Sequence, residues 1–318
     1  MNRDDTARPA SIPPRRGRRR RMLARYRTSR SATAALVVLV VLVLVAVFGP
    51  WLAPHDPNLI DLANALSGPS GEHPLGTDMY GRDVSSRLIA GTRVSLLASF
   101  ECVLIALVIG VPTGLIAGFV GRWIDAVLSR IVDALYGLPG LILAAAIVGA
   151  LGPGIQNAMI AIGIILSPQF FRLARGAAQS IREETYVEAL RALGCRTPRL
   201  LVRHVLPNAS GPLLVQAAIL GGVAVSAEAS LSFLGLGVQP PTSSWGSMVR
   251  DALENLRHDW YPLVPPSLMI LVTIMAYTFV GEGVRAAWRG GPAGNDRQKA
   301  PDGRAGAAAP ASTGGAEP

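Results

Sequence analysis

Residues 183–208 read EETYVEALRALGCRTPRLLVRHVLPN, a polar, arginine-rich island between long apolar segments. Thr185 with Glu188 three residues later predicts a capping box. The threonine side chain accepts from the Glu188 backbone and the glutamate reaches back to Thr185. Tyr186, Ala189, Leu190 and Leu193 follow at helical spacing on one face. Gly194 stands where a helix-ending glycine belongs. A second helix is expected to start at once, with Thr197 as N-cap and Pro198 in first position, and to close at Pro207 after Leu206. The product is a helix–glycine–helix elbow, too short to be stable alone. Flanking elements must hold it, and it keeps an apolar face for a partner, in the manner of a helix docking in a groove.

The rest of the chain says what flanks it. Of 318 residues, 50% are hydrophobic and only 16% charged, where a soluble domain carries about a quarter charged. Mean hydropathy is +0.37. The charges fall in blocks separated by long uncharged runs, the pattern of a polytopic helical membrane protein. The runs lack the alternation of membrane β-strands. The expected fold is therefore an all-α, polytopic transmembrane bundle. The net charge of +9 comes almost wholly from arginine. The arginine blocks abut apolar spans, so the positive-inside rule accounts for them better than nucleic acid does. Cys102 and Cys195 supply neither a disulfide framework nor metal spacing.

In chain order, residues 1–30 form a basic tail with arginines at 15, 16 and 18–21, expected to be largely disordered, with a short interfacial helix near Met22–Tyr26. Ala32–Leu52 is a first span, too long for a signal-peptide core and therefore a retained anchor. Ala53–Gly91 is a polar external loop. Further spans are expected at Val94–Phe119, at Leu135–Leu151 with a kink at Pro139-Gly140, and at Asn157–Phe171, broken by Pro168. A fifth lies within Gly211–Gly237 and a sixth at Leu263–Val280. Asp125 is spaced to meet Ser129, and Arg130 to meet Asp133. Trp245 and Trp260, in the loop Val238–Tyr261, read as interfacial anchors. Residues 290–318 are rich in Gly, Ala and Pro and are expected to be disordered. Arginines at the tail and the seven from Arg172 to Arg203 put both termini and the elbow in the cytoplasm.

Two carboxylates fall inside apolar runs, Glu101 and Glu228, where ionisable groups face protein or water. Glu101 reads either as a pathway group or as one that snorkels to the surface. Glu228 reads as a gate or pathway carboxylate, or as a hydrogen bond holding the Gly-rich turn that follows Ser232. His73 near Asp78 invites a metal reading, but two such groups are more often hydrogen-bonded structure, and no metal or other cofactor is expected.

Glu188-Ala189-Leu190, Gly194 and Leu206-Pro207 resemble the EAA loop of ABC-importer permeases, with Leu190 in place of the second alanine. His73-Pro74-Leu75-Gly76-Thr77-Asp78 with Gly81-Arg82-Asp83 resembles a signature of the dipeptide, oligopeptide and nickel class. The string AEASLSFLGLGVQPPTSSWG, from Ala227, and Gly281-Glu282-Gly283-Val284-Arg285 are similar to the same class. Composition and apolar runs, with a resemblance that covers roughly Pro74 to Arg285, divide the chain into a basic cytoplasmic tail (1–30), a first helix with its external loop (31–91), a permease core (92–289) with the coupling loop at about 176–208, and a C-terminal tail (290–318). The resemblance also implies an importer permease in the bacterial cell membrane. Tyr186, Glu188, Ala189, Leu190, Gly194, Leu206 and Pro207 would meet the ATPase, with Glu228, Ser232 and Glu101 at the pathway or gate. Cytoplasmic ATPase subunits, a second homologous permease, an extracytoplasmic binding protein and membrane lipid are the implied partners.

No Walker-type phosphate loop is present in the sequence, so the chain reads as a non-enzyme with hydrolysis on a separate subunit. Ion-gradient transport is the rival reading, for which Glu101 and Glu228 make a thin case without an internal repeat. A membrane enzyme would need a catalytic constellation, and His55, His73, His204 and His258 are scattered over loops on both sides. The topology predicts that, in a background with Cys102 and Cys195 replaced, Arg191→Cys reacts with an impermeant maleimide only from the cytoplasmic face. Labelling from outside overturns the orientation.

Overall fold

A computed structural model describes residue 26 and residues 29–257 and 260–289; both tails, the interfacial helix apart from Tyr26, and His258 lie outside these. Among the described residues there are helices and no β-strand. Five helices are long and apolar enough to cross a membrane, or six when one bent pair is taken as a single span.

Helix α1, Arg30–Leu52, starts where the Ser29 hydroxyl accepts from Ala32 N. Its buried face carries Ala32, Ala35, Leu42, Ala46 and Gly49, while Val37, Val41, Val43 and Val47 are exposed. A face of small side chains toward protein and branched ones outward suits a helix edged by lipid. Helix α2 runs Val84–Val120, beginning before the expected Val94 because Asp83 caps it, accepting from Ser86 N. Its 37 residues span about 55 Å.

The expected third span is two helices, α3 (Arg122–Tyr136) and α4 (Gly140–Leu151), bent by 94°. Gly137 N–H closes α3 onto the carbonyls of Asp133 and Ala134, and Pro139 brings no donor to continue it. The 12 residues of α4 cover only about 18 Å of a core about 30 Å thick. Pro168 does not break the fourth span, which is the continuous helix α5, Ile155–Arg182. The proline leaves the Ile164 carbonyl without its helical donor, and the Ser167 hydroxyl donates to that carbonyl at 2.7 Å.

The elbow contains α6, Thr185–Ala192, and the root of α7, Thr197–Phe233. Pro207 does not end the second arm. Residues Leu201–Val205 form a π-helical turn in which Leu206 N donates to Leu201 O, and the chain continues into the fifth span. The wider turn absorbs the missing proline donor. Helix α8, Trp245–Glu254, precedes the last span, α9, Val264–Arg289.

The most extensive packing is between α2 and α5. A row of small residues at four-residue spacing, Ala98, Cys102, Ala106, Gly110, Gly114 and Gly118, is buried along α2. A Cβ on Gly110, Gly114 or Gly118 would run into the backbone carbonyls of Ser167, Phe171 and Arg175. The helices thus meet backbone to backbone, where dispersion and close approach replace the hydrophobic drive that lipid cannot supply. Gly149 on α4 has open space at its Cβ position. Alanine is the better helix former by about 1 kcal/mol. Gly149→Ala should therefore leave the thermal midpoint unchanged or raise it, whereas Gly114→Ala should lose about 1–3 kcal/mol by overpacking. Thermal unfolding in lipid nanodiscs checks the opposite signs.

Candidate functional site

Two clusters lie at opposite ends of the bundle. At the elbow end, the N-cap of α6 is Glu184 and not Thr185, and Glu184 makes no side-chain cap bond, so the expected capping box is not formed. The second arm is shifted likewise: Arg196 is its N-cap, with Thr197 already helical. Gly194 takes its expected role at φ +79°. Gly194 N donates to Arg191 O at 2.9 Å and Cys195 N to Leu190 O at 3.0 Å, the paired bonds of a Schellman ending. The side chain that seats the elbow is Val187, 1% exposed and absent from the sequence reading; Leu190 is half-buried beside the core. Tyr186, Glu188, Ala189, Leu193 and Gly194 are exposed. Leu206 and Pro207 stand apart on α7, beyond the π turn.

Cations tie this end together. The Arg191 guanidinium lies 4.5 Å over the Phe119 ring at the end of α2, and Arg172 lies 3.8 Å over Tyr136. Arg175 Nη2 donates to Asp125 Oδ2 at 2.7 Å, joining α5 to α3, and Ser129 meets Asp125 as its spacing implied.

At the far end, Asp78 accepts from the backbone of Tyr80 and Arg82 and pairs with Arg82 Nε at 2.7 Å. Arg82 and Arg87 both reach Asp251 Oδ2 on α8 at 3.4 Å. Asp83, not Asp78, is the partner of His73, with Nδ1 3.1 Å from Oδ1. Asp83 Oδ2 accepts from Ser86 N and from the hydroxyls of Ser85 and Ser86. Burial pushes this carboxyl up, but the bonds from Ser85, Ser86 and His73 outweigh it and hold it below the usual aspartate range.

Deeper from that end, Glu228 is 1% exposed on α7. The Ser232 hydroxyl donates to Glu228 Oε1 at 2.7 Å and accepts from Val238 N at 3.2 Å, so carboxylate and serine hold the Gly-rich turn. Ser95 and Ser244 flank the carboxylate, while Oε2 has no hydrogen-bond partner of good geometry. Glu101 is half-buried on α2 next to the buried Cys102. Trp245 is not an interfacial anchor: it is fully buried, its backbone N–H donating to Ser95 Oγ at 3.3 Å, whereas Trp260 is 65% exposed. Arg82 stands four residues after Asp78 in the sequence; Asp251, far along the chain on α8, had no local signal.

A family profile described as "Binding-protein-dependent transport system inner membrane component" matches residues 110–288. A second, "N-terminal TM domain of oligopeptide transport permease C", matches residues 17–69. The chain is 41% identical over 244 residues to the dipeptide transport system permease protein DppC of Alkalihalophilus pseudofirmus, covering 77% of this chain and 80% of that one. It is 39% identical over 264 residues to the glutathione transport system permease protein GsiD of Escherichia coli O6:K15:H31, covering 83% and 87%. In fold it is similar to a crystal form of the inward-facing MetNI methionine ABC transporter, with TM-score 0.51 and 20% identity, over 63% of this chain and 95% of that one.

The buried clasp at Glu228 separates size from charge. Glu228→Ala empties a closed site and frees Ser232, and should cost about 3 kcal/mol of stability. Glu228→Gln keeps an oxygen for the Ser232 hydroxyl and should unfold within a few degrees of wild type. Thermal unfolding of both variants in nanodiscs measures the difference.

Proposed function

The chain belongs to the binding-protein-dependent transport system inner membrane component family, a multi-pass membrane permease of ABC importers; on that premise we propose that it carries peptides or related small solutes, powered by ATP hydrolysis on a separate cytoplasmic subunit. The observation that carries the coupling is the exposed face of α6. Tyr186, Glu188 and Ala189 are exposed on α6 and Gly194 just past its end, while Val187 is buried against the bundle. A short helix seated by one buried anchor, with a small residue at its outer centre, fits a groove on a partner. Leu190 spans both sides, half-buried, and Leu206-Pro207 follow the π turn within α7.

Movement of the docked elbow passes to α7 through its unbroken helix and to α2 through Arg191 on Phe119. In this reading both termini are cytoplasmic, a second homologous permease completes the pathway, and a binding protein delivers solute at the far end. Lipid covers the valine face of α1. Glu228 and Ser232 act as the clasp of the outer gate, and Glu101, half-buried on α2, is a second pathway carboxylate. The family matches lend no support to the ion-gradient reading.

Ala189→Trp places a large ring where close docking needs a methyl group. Insertion and the thermal midpoint should stay unchanged, because Ala189 is exposed, while substrate-stimulated ATP hydrolysis and uptake by the assembled importer fall by at least about 10-fold, equivalent to roughly 1.4 kcal/mol of lost coupling. Uptake at the wild-type rate refutes the docking assignment.

A further inference from the structure

The sequence argued against a metal at the far end because His73 and Asp78 were only two groups. The fold changes the membership of that cluster. Asp78 turns away to Arg82, Asp83 takes its place, and His55 arrives from the end of α1. His55, His73 and Asp83 each offer a ligand atom, all within 4.8 Å of one another. Both imidazoles aim Nδ1 at the same carboxylate, His73 at 3.1 Å from Oδ1 and His55 at 4.0 Å from Oδ2, with ring centroids 4.9 Å apart. His55 Nδ1 is buried and has no hydrogen-bond partner.

We propose that His55, His73 and Asp83 bind one divalent first-row transition-metal ion, which staples the end of α1 and the external loop to the start of α2. Two imidazole nitrogens and one carboxylate oxygen suit zinc, nickel or cobalt and not magnesium or calcium. Bonds of about 2.0–2.2 Å at the tetrahedral angle put ligand atoms about 3.3–3.6 Å apart, so a cluster now within 4.8 Å must close by up to roughly 1.5 Å. The surroundings hold the ligands ready for it. Asp83 Oδ2 is filled by Ser85 and Ser86, leaving Oδ1 to coordinate. Ser86 Oγ also accepts from His55 N at 3.0 Å, and Ser70 Oγ accepts from His73 N at 3.0 Å, fixing both histidine backbones. Such outer contacts orient ligands before the ion arrives. Solvent reaches His55 from a cavity of about 490 Å³ that also holds Asp56 and Arg93, whose charges offset each other. Water completes the coordination sphere.

The test uses the full chain in lipid nanodiscs, purified through a tag without histidine, with Co²⁺ as spectroscopic probe and Zn²⁺ in calorimetry. One ion per chain should bind, with visible d–d absorption, and Zn²⁺ should raise the thermal midpoint in a way that chelator reverses. His55→Gln keeps the His73–Asp83 bond and the α2 cap, and should weaken binding more than about 100-fold, beyond the loss that follows removal of an outer contact. A double variant, His204→Gln with His258→Gln, should bind as wild type does. The absence of a stoichiometric ion in the wild-type chain, or equal affinity in His55→Gln, overturns the proposal and leaves the cluster a hydrogen-bonded clasp. A Zn²⁺ shift of the wild-type midpoint that survives chelator also counts against it.

Discussion

Backbone contact between α2 and α5 fixes the distance on which the other helices depend. Gly110, Gly114 and Gly118 admit the carbonyls of Ser167, Phe171 and Arg175 where any side chain would exclude them. In a bilayer the apolar faces of two helices gain little by leaving lipid for each other, so closeness itself must supply the attraction. One end of α2 carries the Asp83 cap and the loop network; the other ends at Phe119 beneath Arg191. The glycine row therefore sets the spacing at both clusters.

The far end illustrates what buried charge does here. Arg82 and Arg87 are nearly inaccessible and are shared between Asp78, close in sequence, and Asp251 on α8. Removing such charges from water offsets much of the attraction between them, so the network is a weak source of stability. Its contacts join α8 to the start of α2, where Trp245 at the head of α8 is buried and Gly246 packs against Ala229 of α7.

Much of this was legible. The apolar runs located the spans, and the polar island with Gly194 located the elbow, because burial in lipid and a left-handed ending each have a local sequence signature. Prolines misled in two of three places. Pro168 and Pro207 read as breaks, but the Ser167 hydroxyl and the π turn satisfy what they leave unpaired; only at Gly137–Pro139 does the helix turn. Cap positions slipped by one residue at Glu184 and Arg196, where side chains do not decide the start. Trp245 looked like an anchor because a tryptophan in a loop carries no sign of which neighbour will cover it. The approach of His55 to Asp83 and the burial of Val187 carried no local signal for a related reason: both arise only once distant segments meet.

The turn at Leu201–Val205 also bears on how the fifth span responds to load. Its helix has no break from Thr197 to Phe233, about 55 Å of rod, yet its root is coiled more loosely than the rest. Under the coupling proposed above, a displacement of the elbow reaches the Ser232 end through this one continuous helix, and the wider turn at Leu201–Val205 is where the helix departs from regular α geometry.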